Sequence, residues 1–114
     1  MDANEYQRLA LTTLNPALGE QDVLINGVMG LCGEAGEAID LVKKHLAQGH
    51  PLDRERLAGE LGDVAWYLAE TAHAIGYPLN EILQMNIHKL KARYPEGFRT
   101  EDSLRRRDAG EGAR

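Results

Sequence analysis

Residues 30–44 read GLCGEAGEAIDLVKK. Leu31, Ala35, Ile39 and Val42 recur there at steps of three and four, and Leu24, Val28 and Leu46 extend the same line. That is the spacing of one face of a long helix. A second stretch, LAGELGDVAWYLAETAHAI at residues 57–75, repeats it with Leu57, Leu61, Val64, Leu68, Ala72 and Ile75. Strand signals are scarce. Apolar residues make up 43% of the chain but aromatic ones only 5%, so a core must come from Leu, Ile, Val and Ala, which favours helices over a sandwich of strands. The expected class is all-α.

Turn residues divide the chain into four helices. The first runs from about Ala3 to Leu14 and stops at Asn15-Pro16, because the residue before proline avoids the helical region. The second spans about Gln21 to Gln48 and ends at Gly49, with Pro51 just beyond. The third starts after Asp53, a good N-cap, and reaches about Ile75 before Gly76-Tyr77-Pro78. The fourth covers about Leu79 to Arg93 and stops before Pro95, with Ile82, Met85 and Leu90 as a weaker apolar pattern. Short connections make neighbours antiparallel. The expected architecture is an antiparallel four-helix-type bundle over residues 1–98. Residues 99–114 form a charged tail, read as mostly disordered from Thr100 (TEDSLRRRDAGEGAR). At 114 residues the chain buries a modest share of its surface, so oligomerisation is expected.

Charge and cysteine content exclude several functions. The net charge is −5, which argues against a general nucleic-acid binder. Cys32 is the one cysteine, so neither an internal disulfide nor a Cys-x-x-Cys metal site can form. No apolar run approaches the roughly 20 residues of a membrane span. The start, MDANEYQRLA, is polar and unlike a signal peptide, and a reducing cytoplasm is the expected compartment.

Each long helix carries an acid-x-x-acid pair in a glycine-rich setting: Gly33-Glu34-Ala35-Gly36-Glu37 and Gly59-Glu60-Leu61-Gly62-Asp63. At about 100° per residue, both pairs sit on the same side of their helix's apolar stripe, with the second acid about 60° from the first. If the helices pack antiparallel through those stripes, the four carboxylates converge on one flank. One such pair is an ordinary solvated face; two in equivalent places are not. Like charges at this spacing are mutually destabilising. A divalent cation with oxygen preference removes the repulsion. Mg²⁺ suits it, taking a few carboxylates and completing its shell with water and phosphate oxygens. No histidine falls in either pair, which disfavours Zn²⁺. Gly27, Gly30, Gly33 and Gly36 recur every third residue, each costing about 1 kcal/mol against alanine inside a helix. Either close helix packing or room for a ligand accounts for them.

The strings GLCGEAGEAIDLVKK at 30–44, ELGDVAWYLA at 60–69 and NIHKLKARYPEGF at 86–98, with 22 residues between Glu37 and Glu60, resemble the MazG-like nucleoside triphosphate pyrophosphohydrolases. The similarity covers about residues 5 to 98. It implies a helical bundle that oligomerises as a homodimer or homotetramer, with Mg²⁺, or Mn²⁺ in its place, held by the acidic motifs. The implied reaction converts a (deoxy)nucleoside triphosphate and water to the monophosphate and pyrophosphate, as in clearing non-standard or excess nucleotides. By position, Glu34, Glu37, Glu60 and Asp63 match the metal-binding, catalytic acids. Asn86, Lys89 and Arg93 match polar residues of the fourth helix that face the nucleotide. Lys89 suits a phosphate contact, since a triphosphate needs cationic partners besides the metal. A membrane and a stable nucleic-acid partner are not expected. The competing reading is a catalytically idle helical interaction module that keeps the fold.

Other residues are plainer. Tyr67 lies beside the acids on the wheel and is a candidate border for the nucleotide. Trp66 is expected in the core or at a subunit interface, and Cys32 as a small packed residue. Glu70-x-x-His73 resembles half of a di-iron motif, which needs two such pairs. His45, His50 and His88 are expected at the surface, and Arg105-Arg106-Arg107 as a solvated charge run.

Overall fold

The structure is a computed structural model that describes residues 1–106. The helices are α1 (Ala3–Ala10), α2 (Glu20–Gln48), α3 (Arg54–Ala74), α4 (Leu79–Arg93) and α5 (Thr100–Arg105), with one 3-10 turn at Leu11–Thr13 after α1. The four expected helices are all present, within two residues for α2, α3 and α4. The first tightens into the 3-10 turn before Pro16. Among the described residues there is no strand, only a single bridge between Pro95 and Gly97. The fold is all-α.

Local chemistry explains the boundaries. Asp2 caps α1 by accepting from the Glu5 N–H at 2.8 Å, and Asp53 caps α3 by accepting from the Arg56 N–H at 3.0 Å. Gly49 ends α2 in the left-handed conformation (φ 73°), which lets the His50 N–H reach back to the Lys44 carbonyl at 3.1 Å. Gly76 (φ 80°) does the same after α3, where the Tyr77 N–H bonds the Ala72 carbonyl at 2.9 Å.

The chain's contacts divide it into two units, residues 1–79 and the residues from Asn80 onward. In the first unit α2 and α3 form the main interface, and α1 with its 3-10 turn packs on α3. Gly27 meets Thr71, Gly30 meets Tyr67, and Glu34 faces Asp63 and Glu60, so the contacts move back along α3 as they move forward along α2. The pair is antiparallel. Gln7 ties α1 in. Its buried amide donates to the carbonyls of Ala69 and Tyr77, both at 3.2 Å, and accepts from the Leu79 N–H at 2.9 Å.

The seam differs from the expectation. The helices do not meet through the apolar stripe of α2, since Val28, Ile39 and Leu46 stay exposed. They meet through the line Gly27, Gly30 and Glu34, set against Thr71, Tyr67 and the acids of α3. A Cβ at Gly27 would stand 2.5 Å from the Thr71 hydroxyl oxygen, and one at Gly30 would fall on the Tyr67 ring. Close packing therefore explains these two glycines. Gly33, Gly36, Gly59 and Gly62 face open space. Cys32 is exposed rather than packed. His45, His50 and His88 are exposed, as expected.

The second unit contains the rest of α4 and α5. Between them the rings of Tyr94 and Phe98 lie 5.3 Å apart, and Arg99 pairs with Glu96 at 3.0 Å. The tail was expected to lack structure from Thr100, but six of its residues form α5. Acidic Glu101 and Asp102 in the first turn and Arg105 in the last suit the helix dipole. Arg105 is exposed and Arg106 half-buried; Arg107 and the remainder of the tail lie outside the described residues.

Candidate functional site

The α2–α3 seam carries the acids because Glu34 continues the glycine line of α2. Four residues separate Gly30 from Glu34, so both lie on the side of α2 that meets α3. Along α3, Glu60, Asp63 and Tyr67 follow at steps of three and four and face back. Carboxylate oxygens of Glu34, Glu60 and Asp63 all lie within 4.8 Å of one another. Glu34 and Glu60 are half-buried and Asp63 is exposed. The sequence reading put the convergence on a flank of the seam; it occurs in the seam itself.

The acids feel each other. The Glu34 carboxyl is held above its ordinary value of 4.5, first by its hydrogen bond with Glu60, then by partial burial and by the charges of Asp63, Glu60 and Glu37. Every charged neighbour acting on it is another acid. Glu37 is exposed and lies outside the three-oxygen cluster, yet near enough to act on Glu34. The donor set fits a divalent cation of the Mg²⁺ kind: all oxygen, anionic, converging, and open to solvent on the Asp63 side.

Beside the cluster lies an open hollow of about 330 Å³, bordered by Glu34, Asp63, Trp66 and Tyr67. Tyr67 is thus where the helical wheel put it. Trp66 is not a core residue. It is half-buried, lines this hollow, and meets the Tyr67 ring edge-on at 5.0 Å and 81°. A larger hollow, about 380 Å³, opens near the loop before α2 among Leu14, Pro16, Leu18, Val23 and His73, away from the clustered acids.

Asn86, Lys89 and Arg93 stand on α4 in the second unit. Steps of three and four put them on one side of that helix. Asn86 and Lys89 are exposed, and Arg93 is half-buried with its guanidinium 5.9 Å from the centre of the Tyr94 ring. Glu70, the half-motif residue, is fully buried, and both its oxygens accept from the Asn26 amide at 2.9 and 3.0 Å. His73 is exposed, at the other extreme of burial from Glu70.

Sequence reasoning missed two long-range hydrogen-bonded anchors, one of them at the site. The Trp66 indole N–H donates to the Ala10 carbonyl at 3.0 Å and to the Thr13 hydroxyl at 2.9 Å. Nothing in local spacing signals a contact across more than fifty residues. The Gln7 anchor did leave a signal: a long polar residue among Ala3, Tyr6 and Ala10 on one side of α1.

The MazG nucleotide pyrophosphohydrolase domain matches residues 26–98, which holds both acidic pairs and nearly all of α2, α3 and α4. The Gene 37 protein of Mycobacterium phage L5 is 38% identical, over 85% of this chain and 92% of its own length. No solved structure matches. No helix among the described residues is long and apolar enough to cross a membrane. By its sequence match and its all-helical fold, the chain belongs to the MazG nucleotide pyrophosphohydrolase family.

Proposed function

We propose that this protein is a Mg²⁺-dependent nucleoside triphosphate pyrophosphohydrolase, cleaving (deoxy)nucleoside triphosphates to monophosphates and pyrophosphate. The observation that carries the reading is the convergence of Glu34, Glu60 and Asp63 on one point of the α2–α3 seam. Three carboxylates with oxygens within 4.8 Å of one another repel until a cation joins them. Mn²⁺ would serve in place of Mg²⁺.

Glu34, Glu60 and Asp63 would hold the cation against the phosphates. Bound there, it supplies charge neutralisation and polarisation of the attacked phosphorus. Glu37 lies outside the trio, which leaves its carboxylate free to take the proton of the attacking water. Asn86, Lys89 and Arg93 would contact the phosphates and Tyr67 would border the nucleotide. Phosphoryl transfer of this kind rests on positioning and charge stabilisation, which these residues would supply.

A second copy of the chain completes the proposal. Among the described residues the buried apolar side chains are Ala69, Ala72 and Leu79, whereas Met29, Ile39 and Leu46 on α2 are 68%, 63% and 76% exposed. Ile39, Val42 and Leu46 line one hollow, and a contiguous exposed apolar patch marks an interaction surface. We assign them to the interface of a homodimer or homotetramer. Sedimentation should return a multiple of 12.6 kDa, and Ile39→Glu should reduce it.

The decisive test is pyrophosphate release from a panel of nucleotides with and without Mg²⁺. Glu60→Gln keeps the shape and removes one ligand charge. Its rate should fall at least about 100-fold while helix content is retained. A Gln variant working at the wild-type rate would remove Glu60 from the metal. A wild-type protein that binds no nucleotide and releases no pyrophosphate would make the chain an idle module.

A further inference from the structure

We propose that the segment from Ala10 to Thr13, outside the residues matched by the family, is a clamp on the candidate site, with Thr13 as a positioning residue that acts through Trp66. The proposal rests on the pyrophosphohydrolase reading.

Trp66 is three residues beyond Asp63 and lines the same hollow. Its orientation is set from behind. The indole has one donor and no acceptor, and that donor is shared between the Ala10 carbonyl at 3.0 Å and the Thr13 hydroxyl at 2.9 Å. The Thr13 hydroxyl in turn donates to the Leu11-preceding carbonyl of Ala10 at 2.7 Å. Its hydrogen is therefore spent on Ala10, and a lone pair is left for the indole. The three groups close a ring of hydrogen bonds in which Thr13 donates to Ala10 and accepts from the indole.

Two consequences follow. The indole N–H has no capacity left for a nucleotide, so Trp66 offers the hollow only its ring. The ring's angle depends on a residue that touches neither the acids nor the hollow. Thr13 is exposed, so changing it opens no cavity in a core. Its effect should travel through Trp66 and appear in substrate binding rather than in the chemical step.

Trp66 is the chain's single tryptophan, so its fluorescence reports on this wall alone. The test uses the full chain as wild type, Thr13→Val, Thr13→Ser, Trp66→Phe and the Thr13→Val/Trp66→Phe double variant. The probes are Mg²⁺ with an α,β-methylene nucleoside triphosphate for binding, and the hydrolysable nucleotide for kinetics. Thr13→Val should shift the emission of the free protein. It should also raise KM roughly 2- to 12-fold, the loss of one net hydrogen bond, with kcat unchanged. Thr13→Ser, which keeps the hydroxyl, should match wild type in both. In the Trp66→Phe background, where the bond is already gone, Thr13→Val should add nothing.

Wild-type emission and KM in Thr13→Val would overturn the clamp. So would a Thr13→Ser variant as impaired as the valine one, or a further loss in the double variant. Those results leave the pyrophosphohydrolase reading standing. A wild-type protein whose emission ignores the analogue and which releases no pyrophosphate would overturn that reading, and the clamp with it.

Discussion

The ring of Tyr67 fills the space that a side chain on Gly30 would need. Tyr67 borders the hollow beside Glu34 and Asp63, so a helix-packing contact and a wall of the candidate site are the same contact. Gly30→Ala must displace that ring. Overpacking of this kind costs about 1–3 kcal/mol, against up to about 1 kcal/mol that alanine gains inside a helix, and the melting temperature should fall by the difference. Gly59→Ala is the control: its Cβ meets nothing within 4 Å, and alanine gains up to about 1 kcal/mol in a helix interior. Thermal unfolding should move in opposite directions for the two variants. Equal shifts would mean that Tyr67 does not rest on Gly30.

The same contact explains what could be read from sequence and what could not. Helix ends were legible because they are local. Asn15-Pro16, Gly49, Asp53 and Gly76-Tyr77-Pro78 each act on their own few residues of backbone. The acids were legible because Glu34, Glu37, Glu60 and Asp63 keep helical spacing, and repulsion between them asks for an explanation. The seam was not. Hydrophobic periodicity says which side of α2 avoids water, not which neighbour covers it. Ile39 and Leu46 point away from α3, and the glycine line takes their place because only glycine lets Thr71 and Tyr67 come so close. Trp66 is expected in the core or at a subunit interface; its place in the structure follows from Ala10 and Thr13, which no periodicity connects to it.

The Glu34 carboxyl offers a test through pH. Its affinity for a proton is raised above the ordinary 4.5, chiefly by the hydrogen bond with Glu60. A carboxyl raised in the folded state makes the fold more stable as pH drops through the raised value toward 4.5. Above that value the repulsion is fully present. Glu34→Gln removes it, so without metal the variant should melt higher than wild type at neutral pH, and the gap should close as pH approaches 4.5. Asp40 works in the other sense, held below 3.8 by Lys44 and Lys43; it is present in both proteins and cancels. Added Mg²⁺ should stabilise the wild type more than the variant. A gap that does not change with pH would show that Glu34 is not under strain from its acidic neighbours.

Lys89 is assigned to the phosphates on its place in the sequence and on α4. Lys89→Ala should weaken the binding of a triphosphate by roughly 10- to 150-fold, the range for a lost hydrogen bond to a charged group. A monophosphate has fewer anionic oxygens to lose a partner and should be weakened less. Calorimetric titration of the variant with both, in the presence of Mg²⁺, measures the difference. Equal weakening would take Lys89 out of the phosphate role and return it to the solvated face of α4.

The bond that breaks is the last point the site leaves to experiment. Acids on two antiparallel helices can hold a cation against any part of a triphosphate, so their geometry alone permits attack at the α- or the γ-phosphorus. The sequence contains no G-x-x-x-x-G-K-[ST] string, the loop whose backbone N–H groups cradle phosphates in enzymes that cleave the γ-phosphate. The family to which the chain belongs is one of pyrophosphohydrolases. One pyrophosphate should therefore appear per monophosphate, with no diphosphate nucleoside and no free orthophosphate. In ¹⁸O-labelled water the label should enter the monophosphate, because the water oxygen joins the α-phosphorus and pyrophosphate leaves with the bridging oxygen. Label in the pyrophosphate would mean attack at the β-phosphorus, with the bridging oxygen kept by the monophosphate. A nucleoside diphosphate among the products would overturn the assigned reaction.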